Sequence, residues 1–189
     1  MIKIAVVGDI GSGKTHVAKL FRYPVFNADE EVAKLYRKSR KCYVKFKKAL
    51  PNYINSFPIK KSELSNALIS KKKNLKKIIK IVHPEVRKKM NNFLKKNKNK
   101  KIVVLDIPLF LENKMNKRRD ILVFVDSKKN EILKRLKKRK NYNAKLIYKF
   151  KKIQLPIEYK KKKSQFIIRN NFSNKFLKKD INRVLERIL

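Results

Sequence analysis

The chain has 189 residues, with 54 lysines and arginines against 14 aspartates and glutamates and a formal net charge of +40. This length suits one domain built around a single core. No apolar stretch approaches a membrane span, and the apolar run of a first strand already begins at Ile2, so we expect neither a membrane protein nor a cleavable signal. The single cysteine, Cys42, has neither a disulfide partner nor metal-ligand spacing, which argues against a zinc site and indicates a reducing, cytoplasmic compartment.

The positive charge taken alone suggests a polyanionic partner such as nucleic acid. Lysines account for 43 of the basic residues and arginines for 11, and they are spread over nearly every segment instead of forming one arm or stripe. A general lysine bias explains that distribution better than a nucleic-acid footprint does. We therefore expect no specific nucleic-acid partner, and we expect self-repulsion to make the folded state sensitive to salt.

Short apolar runs alternate with helical patterns along the chain. These runs lie at residues 2–7, 25–26, 102–107, 121–125 and 166–168. Alternation of this kind predicts βαβ units and an α/β fold, a three-layer sandwich in which helices cover both faces of a mostly parallel sheet.

The most informative motif is GDIGSGKT, from Gly8 to Thr15, directly after the first apolar run. Its glycines let backbone N–H groups turn toward phosphate oxygens, which predicts a P-loop. Lys14 would reach the β- and γ-phosphates and Thr15 would hold Mg²⁺. The predicted nucleotide contacts are Gly8, Gly11, Ser12, Gly13, Lys14, Thr15 and His16. A plain strand-to-helix turn is the weaker alternative, because a strand and a helix flank the motif where it requires them.

Helices are predicted between these strands from apolar spacing and breakers. One helix follows Asp29, a lysine-rich helix follows a loop at 51–58, and a separate helix begins at Pro84. Ser127 is expected to cap the helix after the fourth strand. Further helices are predicted at 146–155 and from 173 to the end.

Two acidic residues follow predicted strands, where ligands bind in open α/β sheets. Asp29 follows the short second run, and Asp106 lies at the end of the third. A carboxylate in such a place can orient an attacking hydroxyl and accept its proton, or hold Mg²⁺ directly or through water. The alternatives are a helix N-cap for Asp29 and a structural hydrogen bond for Asp106.

Arg135 and Arg139 are four residues apart and so share one helix face, in a chain that otherwise uses lysine. Guanidinium groups complement the charge of a transferring phosphoryl group, although a surface pair is equally compatible with the spacing. His83 precedes Pro84 and could contact substrate, but an isolated histidine is more often a packed one.

These pieces occur in an order that resembles the dephospho-CoA kinase family. The resemblance covers nearly the whole chain, and its motifs are GDIGSGKT, NAD at 27–29, VHPEV at 82–86, VVLDIPLFLEN at 103–113, Asp120, the arginine pair, QLP at 154–156, Lys160 and Asn170. It implies one P-loop kinase domain over 1–189, with a helical acceptor-side region at about 30–97 and a lid at about 135–163.

The resemblance also implies a reaction: ATP-dependent phosphorylation of the ribose 3′-hydroxyl of dephospho-CoA, with Mg²⁺. Asp29 would be the base, with Lys14 and Arg139 acting on the transferring group. Arg135, Arg139 and Asn170 would join the phosphate loop in binding ATP, and Thr15 and Asp106 would serve the metal. The implied acceptor contacts are Lys61, His83, Pro108, Leu109, Glu112 and Lys160.

The sequence departs from the family pattern at three places. Asn27 stands where the family has aspartate, and Asp9 replaces a glycine in the phosphate loop. A carboxylate so near a triphosphate is expected to be held outward. Residues 164–172 do not follow the usual pattern, which leaves adenine contacts near Asn170 poorly defined. Acceptor contacts in residues 36–80 are also poorly defined.

Two other functions stay open. Another P-loop small-molecule kinase, such as a nucleoside monophosphate kinase, would use the arginine pair but lacks the H-P and P-L-F-L-E elements. A nucleic-acid-binding P-loop NTPase would explain the charge but has no evident module for stacking bases. The sequence does not define the oligomeric state.

Overall fold

The computed structural model describes residues 1–139 and 142–189, and it contains a parallel β-sheet. Within those residues it has five strands: β1 (Ile2–Gly8), β2 (Val25–Asn27), β3 (Ile102–Asp106), β4 (Asp120–Asp126) and β5 (Phe166–Arg169). Their order is β2-β3-β1-β4-β5, and every neighbouring pair is parallel. All five predicted strands are confirmed, because buried apolar runs are what a sheet covered on both faces requires.

Helices follow every strand except β3, from which turns lead directly to β4. They are α1 (Lys14–Leu20), α2 (Ala28–Lys38), α3 (Arg40–Ala49), α4 (Lys61–Ser70), α5 (Lys72–Lys96), α6 (Lys129–Lys137), α7 (Ala144–Lys152), α8 (Ile157–Lys163) and α9 (Asn174–Ile188), for the part of the chain described. None of these helices is long and apolar enough to cross a membrane.

The chain divides into two compact units. The first, Met1–Asn27 with Asn97–Leu189, contains the whole sheet and is called the phosphate-loop unit below. Its core is made of fully buried aliphatic and aromatic side chains: Ile4, Val6, Val17, Phe21, Ile102, Val104, Val123, Ile168, Leu177 and Ile181. Because β1 lies in the middle of the sheet, the loop that follows it is supported from both sides.

The second unit, Ala28–Lys96, contains only helices and is called the helical unit. Apolar residues at helical spacing bury one side of each helix, and the core includes Leu35, Phe46, Leu50, Ile54, Leu64, Ala67, Ile78 and Val82. The rings of Tyr36 and Phe46 meet edge to face with centroids 5.6 Å apart. The many lysines of this unit lie on the outward helix faces.

Two predicted helix starts are wrong. Pro84 does not begin a new helix but lies inside the 25-residue α5, whose buried face continues from Ile78 and Val82 to Val86. Burial of that continuous stripe outweighs the lost backbone donor and the clash that proline brings to a helix interior. Ser127 does not cap α6, which begins after Lys128; its hydroxyl is used elsewhere.

Other boundaries differ by a few residues. The helix predicted at 146–155 is α7, and it begins earlier because the Asn143 side chain accepts a hydrogen bond from the Leu146 N–H and so caps it. The last helix begins after Ser173, as predicted. Helices α3 and α8 were not predicted individually.

Candidate active site

The phosphate loop turns tightly through glycines between β1 and α1. Gly11 and Gly13 have φ values of 84° and 90°, which residues with a Cβ atom rarely adopt. The Lys14 ammonium bonds the carbonyl oxygens of Asp9, at 2.7 Å, and Gly8, at 3.3 Å. These two hydrogen bonds keep the Lys14 ammonium beside the loop, where it can bind a triphosphate.

Two side chains from the residues just after β4 and β5 brace the loop at Ser12. Its carbonyl oxygen accepts hydrogen bonds from the Ser127 hydroxyl, at 2.9 Å, and from the Asn170 amide, at 2.8 Å. Asn170 is only 3% exposed, and a Cβ on Gly13 would lie 2.3 Å from its amide nitrogen. The loop is therefore fixed before any ligand arrives, and Asn170 supports it from behind.

Thr15 and Asp106, the two residues that the family resemblance assigns to the metal, are hydrogen-bonded to each other. The Thr15 hydroxyl donates to Asp106 Oδ2 at 2.6 Å, and the Asn27 amide donates to the same oxygen at 2.9 Å. Asp106 is 3% exposed, and β3 pairs it directly with Asn27 of β2. A hydroxyl and a carboxylate are the hard oxygen donors that suit Mg²⁺, so these residues fit the ion. The aspartate-to-asparagine departure at position 27 thus keeps a hydrogen bond.

Asp9, which replaces a glycine of the family's phosphate loop, bonds with its carboxylate to the backbone of the next residue. Its Oδ1 accepts a hydrogen bond from the Ile10 N–H at 2.6 Å. The side chain also lines a cavity of about 370 Å³ with Lys129, Lys151 and Leu155. Two lysines thus line the same cavity as this carboxylate.

Arg135 and Arg139 are both exposed, on and just after α6. The Arg135 guanidinium lies 4.0 Å above the centroid of the Phe172 ring, a cation–π contact. Phe172 has a φ of 63° and approaches the phosphate loop, since a Cβ on Gly13 would be 3.4 Å from its ring. Arg135 is therefore stacked beside the loop.

The turn after β3 carries three of the predicted acceptor residues, Pro108, Leu109 and Glu112. Pro108 is exposed, and Leu109 has a left-handed φ of 56° that closes the turn, with the Asn113 N–H donating to its carbonyl at 2.9 Å. Glu112 Oε1 lies 2.7 Å from the Lys160 ammonium, and the two side chains are 10% and 3% exposed. Glu112 and Lys160, predicted as separate acceptor contacts, are thus partners of each other.

The helical unit carries the predicted base and two of the predicted acceptor contacts. Asp29 is exposed in the first turn of α2, and Lys61 is the exposed first residue of α4. His83 is half-buried in α5, where burial and then the charge of Arg87 lower its pKa. A cavity of about 510 Å³ runs along α5 and is lined by His83, Arg87, Asn91 and Lys95, one residue per helical turn.

Three residues near these sites escaped the sequence analysis. Ser127 was read as a helix cap, although its place directly after β4 was a signal for a strand-end role. Phe172 lies in a segment without a recognisable pattern, and Arg87 was hidden among the lysines of α5. Arg87 is four residues after His83, and this spacing, which places both on one helix face, could have revealed it.

A phosphate loop after the central strand of a parallel sheet, with a threonine and a strand-end carboxylate beside it, defines a P-loop nucleotide-binding protein. A dephospho-CoA kinase family model matches residues 2–175. Relatives named dephospho-CoA kinase include those of Bartonella henselae, 38% identical over 129 residues, and Zymomonas mobilis, 29% identical over 130 residues. The chain belongs to the dephospho-CoA kinase family, which confirms the resemblance seen in its motifs.

These alignments cover 66% and 67% of this chain and 66% of each relative, just under two thirds of the relatives' length. Solved structures extend the likeness to the whole fold. TT1252 from Thermus thermophilus superposes with a TM-score of 0.81 at 27% identity, covering 100% of this chain and 98% of the other. A dephospho-CoA kinase from Campylobacter jejuni gives 0.64 at 22% identity, covering 98% and 96%, and shows the fold alone. The predicted fold class is confirmed.

Proposed function

We propose that this protein transfers the γ-phosphoryl group of ATP to the ribose 3′-hydroxyl of dephospho-CoA, giving CoA and ADP. The observation that carries this proposal is the braced phosphate loop with Thr15 bonded to Asp106, in a member of the dephospho-CoA kinase family. The new bond joins the 3′-oxygen to the γ-phosphorus. The bond from that phosphorus to the β–γ bridging oxygen breaks, and the hydroxyl proton passes to a carboxylate.

The phosphate-loop unit supplies the donor half of the reaction. Backbone N–H groups of Gly11 to His16 bind the phosphate oxygens, and Lys14 exchanges the Asp9 and Gly8 carbonyls for the β- and γ-phosphates. Thr15 and Asp106 would hold Mg²⁺, which would neutralise charge on the phosphates. Arg135 and Arg139 contact the nucleotide, and Arg139 stabilises the transferring group.

Asp29 is the proposed general base, which orients the 3′-hydroxyl and accepts its proton. Lys61 and His83, with Pro108 and Leu109, contact the acceptor. The lowered pKa of His83 keeps its imidazole neutral near pH 7, so it would serve as a hydrogen-bond partner instead of a cation. We place the protein in the cytoplasm, as one P-loop kinase domain whose lid lies in residues 135–163.

The test measures ADP release with dephospho-CoA, a nucleoside monophosphate or RNA as the added acceptor, under matched ATP and Mg²⁺. Dephospho-CoA should stimulate turnover and yield CoA, while the other two should leave it at the level of ATP alone. Stimulation by the monophosphate would favour a nucleoside monophosphate kinase, and stimulation by RNA alone would contradict the kinase proposal.

Two lysine variants show whether the turnover arises at the phosphate loop. Lys14→Ala should lower turnover by roughly 10²- to 10³-fold, the range for removing one fixed donor to transition-state charge. Lys19→Ala, an exposed lysine on the same helix, should leave it unchanged.

A further inference from the structure

One carboxylate oxygen in the phosphate-loop unit serves two partners on the same segment. Glu112 Oε1 lies 2.7 Å from the Lys160 ammonium, and it also accepts a hydrogen bond from the Leu155 N–H at 3.1 Å. Glu112 belongs to the turn after β3, whereas Leu155 and Lys160 flank the start of α8. A single side chain therefore fixes both the connection from α7 to α8 and the first turns of α8.

The pair is too enclosed to be a ready ligand contact. The Lys160 side chain is 3% exposed and that of Glu112 is 10% exposed. A ligand could reach the ammonium only by separating it from the carboxylate, which would leave a buried charge without compensation. The exposed pair Glu131 and Lys134, at 3.3 Å with 43% and 71% exposure, shows the contrast within the same unit.

The segment that Glu112 fixes also forms part of the surroundings of the phosphate loop. Leu155 lines the cavity of about 370 Å³ that Asp9 of the loop and Lys151 of α7 also line. Helix α7 itself has no buried residue, whereas α8 buries Lys160 and packs against β1 and β4. The boundary between the anchored and the weakly packed part of this region therefore lies at Leu155.

We propose that Glu112 is a positioning residue for phosphoryl transfer, which acts through Leu155 and Lys160 and does not contact the acceptor. It keeps the wall of the cavity beside the phosphate loop in place, so that the γ-phosphate is transferred to the acceptor and protected from water. Its catalytic part depends on the proposed kinase function, whereas the structural part does not.

Two double variants isolate the Leu155 hydrogen bond from the buried charges. Glu112→Gln with Lys160→Met removes both charges and keeps an oxygen acceptor for Leu155. Glu112→Leu with Lys160→Met removes the acceptor as well. The measurements are amide exchange at Leu155, the ratio of ADP released without acceptor to ADP released with dephospho-CoA, and KM for dephospho-CoA.

The leucine variant should exchange the Leu155 amide about fivefold to tenfold faster, the effect of losing one net hydrogen bond. Its ratio of ADP released without acceptor to ADP released with dephospho-CoA should rise. Its KM for dephospho-CoA should stay within about twofold of the wild-type value, because no contact to the acceptor is lost. The glutamine variant should keep the wild-type exchange rate at Leu155, as should the control Glu131→Gln with Lys134→Met.

Equal Leu155 exchange in both double variants and the wild type would overturn the proposal. So would a rise in KM for dephospho-CoA in the glutamine variant with exchange unchanged, because that pattern marks an acceptor contact. If the leucine variant does not fold, Glu112→Met with Lys160→Met, which lacks the acceptor but is closer to glutamate in shape, must raise Leu155 exchange above the glutamine variant. Should the wild type show no turnover with dephospho-CoA, the proposed function fails, and Leu155 exchange still decides whether Glu112 positions this segment.

Discussion

The phosphate-loop unit buries several of its candidate functional side chains, whereas the helical unit leaves two of its own exposed. Asp106, Asn170 and Lys160 of the first unit are each 3% exposed, and each has fixed polar partners. Asp29 and Lys61 of the second unit lie on exposed helix surface. A phosphate-binding loop must be rigid before ATP arrives, whereas exposed acceptor contacts can gain their position from the ligand. Substitutions should therefore cost stability and activity together in the first unit, but activity alone in the second.

The largest effect is expected for Asp29→Asn. Loss of the general base should lower kcat by roughly 10²- to 10⁴-fold with KM for ATP nearly unchanged. Stability should fall by less than about 1 kcal/mol, because the carboxylate that is changed lies at an exposed helix start. Single-turnover kinetics and thermal unfolding measure the two quantities.

Glu30→Gln is the matched control for Asp29, because it removes the next carboxylate of the same helix turn. It should leave kcat unchanged. Comparable turnover in the two variants would remove Asp29 from the base role, and a large loss of stability in Asp29→Asn would break the contrast between the units.

Asp106→Asn should affect stability and activity together. The variant loses charge-assisted hydrogen bonds from Thr15 and Asn27, each worth about 1.5–3 kcal/mol when an ionised group takes part. It should also raise the Mg²⁺ concentration needed for half-maximal activity by about 10- to 100-fold, as for other residues that orient a metal ligand.

The measurement is a Mg²⁺ titration of turnover beside a urea unfolding curve, with Asp180→Asn as control. Asp180 pairs with Arg183 on the surface of α9, so its variant should change neither quantity. An unchanged Mg²⁺ requirement in Asp106→Asn, with normal folding, would leave Asp106 only its structural hydrogen bonds.

Local patterns in the sequence were enough to predict the strands and the phosphate loop. Apolar runs predicted the strands, and the glycine spacing predicted a tight loop between the first strand and the first helix. Asp106 was singled out because it lies at the end of such a run. These features depend on residues within about ten positions of each other, which is the range that periodicity and motifs describe.

Features that depend on distant pairing could not be predicted. Glu112 and Lys160 are 48 positions apart, and nothing near either residue shows that one neutralises the other. Asn170 was assigned to the nucleotide, but only the folded chain places its amide on Ser12. Pro84 misled because its local preference for a helix start is overridden by the buried stripe of α5.

A smaller effect is expected for Glu63→Gln. Glu63 is a hydrogen-bonded carboxylate of the helical unit that stabilises its structure and is not a candidate site residue. The Glu63 carboxylate accepts hydrogen bonds from the backbone of Asn55, Ser56 and Lys60 and from the Ser56 hydroxyl. Burial acts to raise its pKa, but these donors together lower it. The variant should lose about 1–2 kcal/mol of stability at pH 7, the size of a helix-cap contribution, without any change in kcat.

The pH dependence of that loss follows from the direction of the shift. A carboxyl whose pKa is lower in the folded state stabilises the fold above its unfolded value, 4.5, and this contribution disappears as pH falls through the folded value. Urea unfolding should thus separate the wild type from the variant at pH 7 and bring them together in acid. Glu85→Gln, which alters a surface pair with Lys45, is the control.

The smallest effect is expected from salt, and it should not distinguish the units at all. Residues 28–96 carry a net charge of +16 and the rest of the chain +24, so the two units have similar charge density. Raising sodium chloride from about 0.01 M to about 0.15 M shortens the screening length from roughly 30 Å to 8 Å and should raise Tm by a few degrees.

Tetramethylammonium chloride should act equally, because screening does not depend on the cation, whereas sulfate could add stability by binding the phosphate loop. Amide exchange should slow in both units together; a response confined to one unit would show that its charges, despite equal density, are arranged for a bound anion.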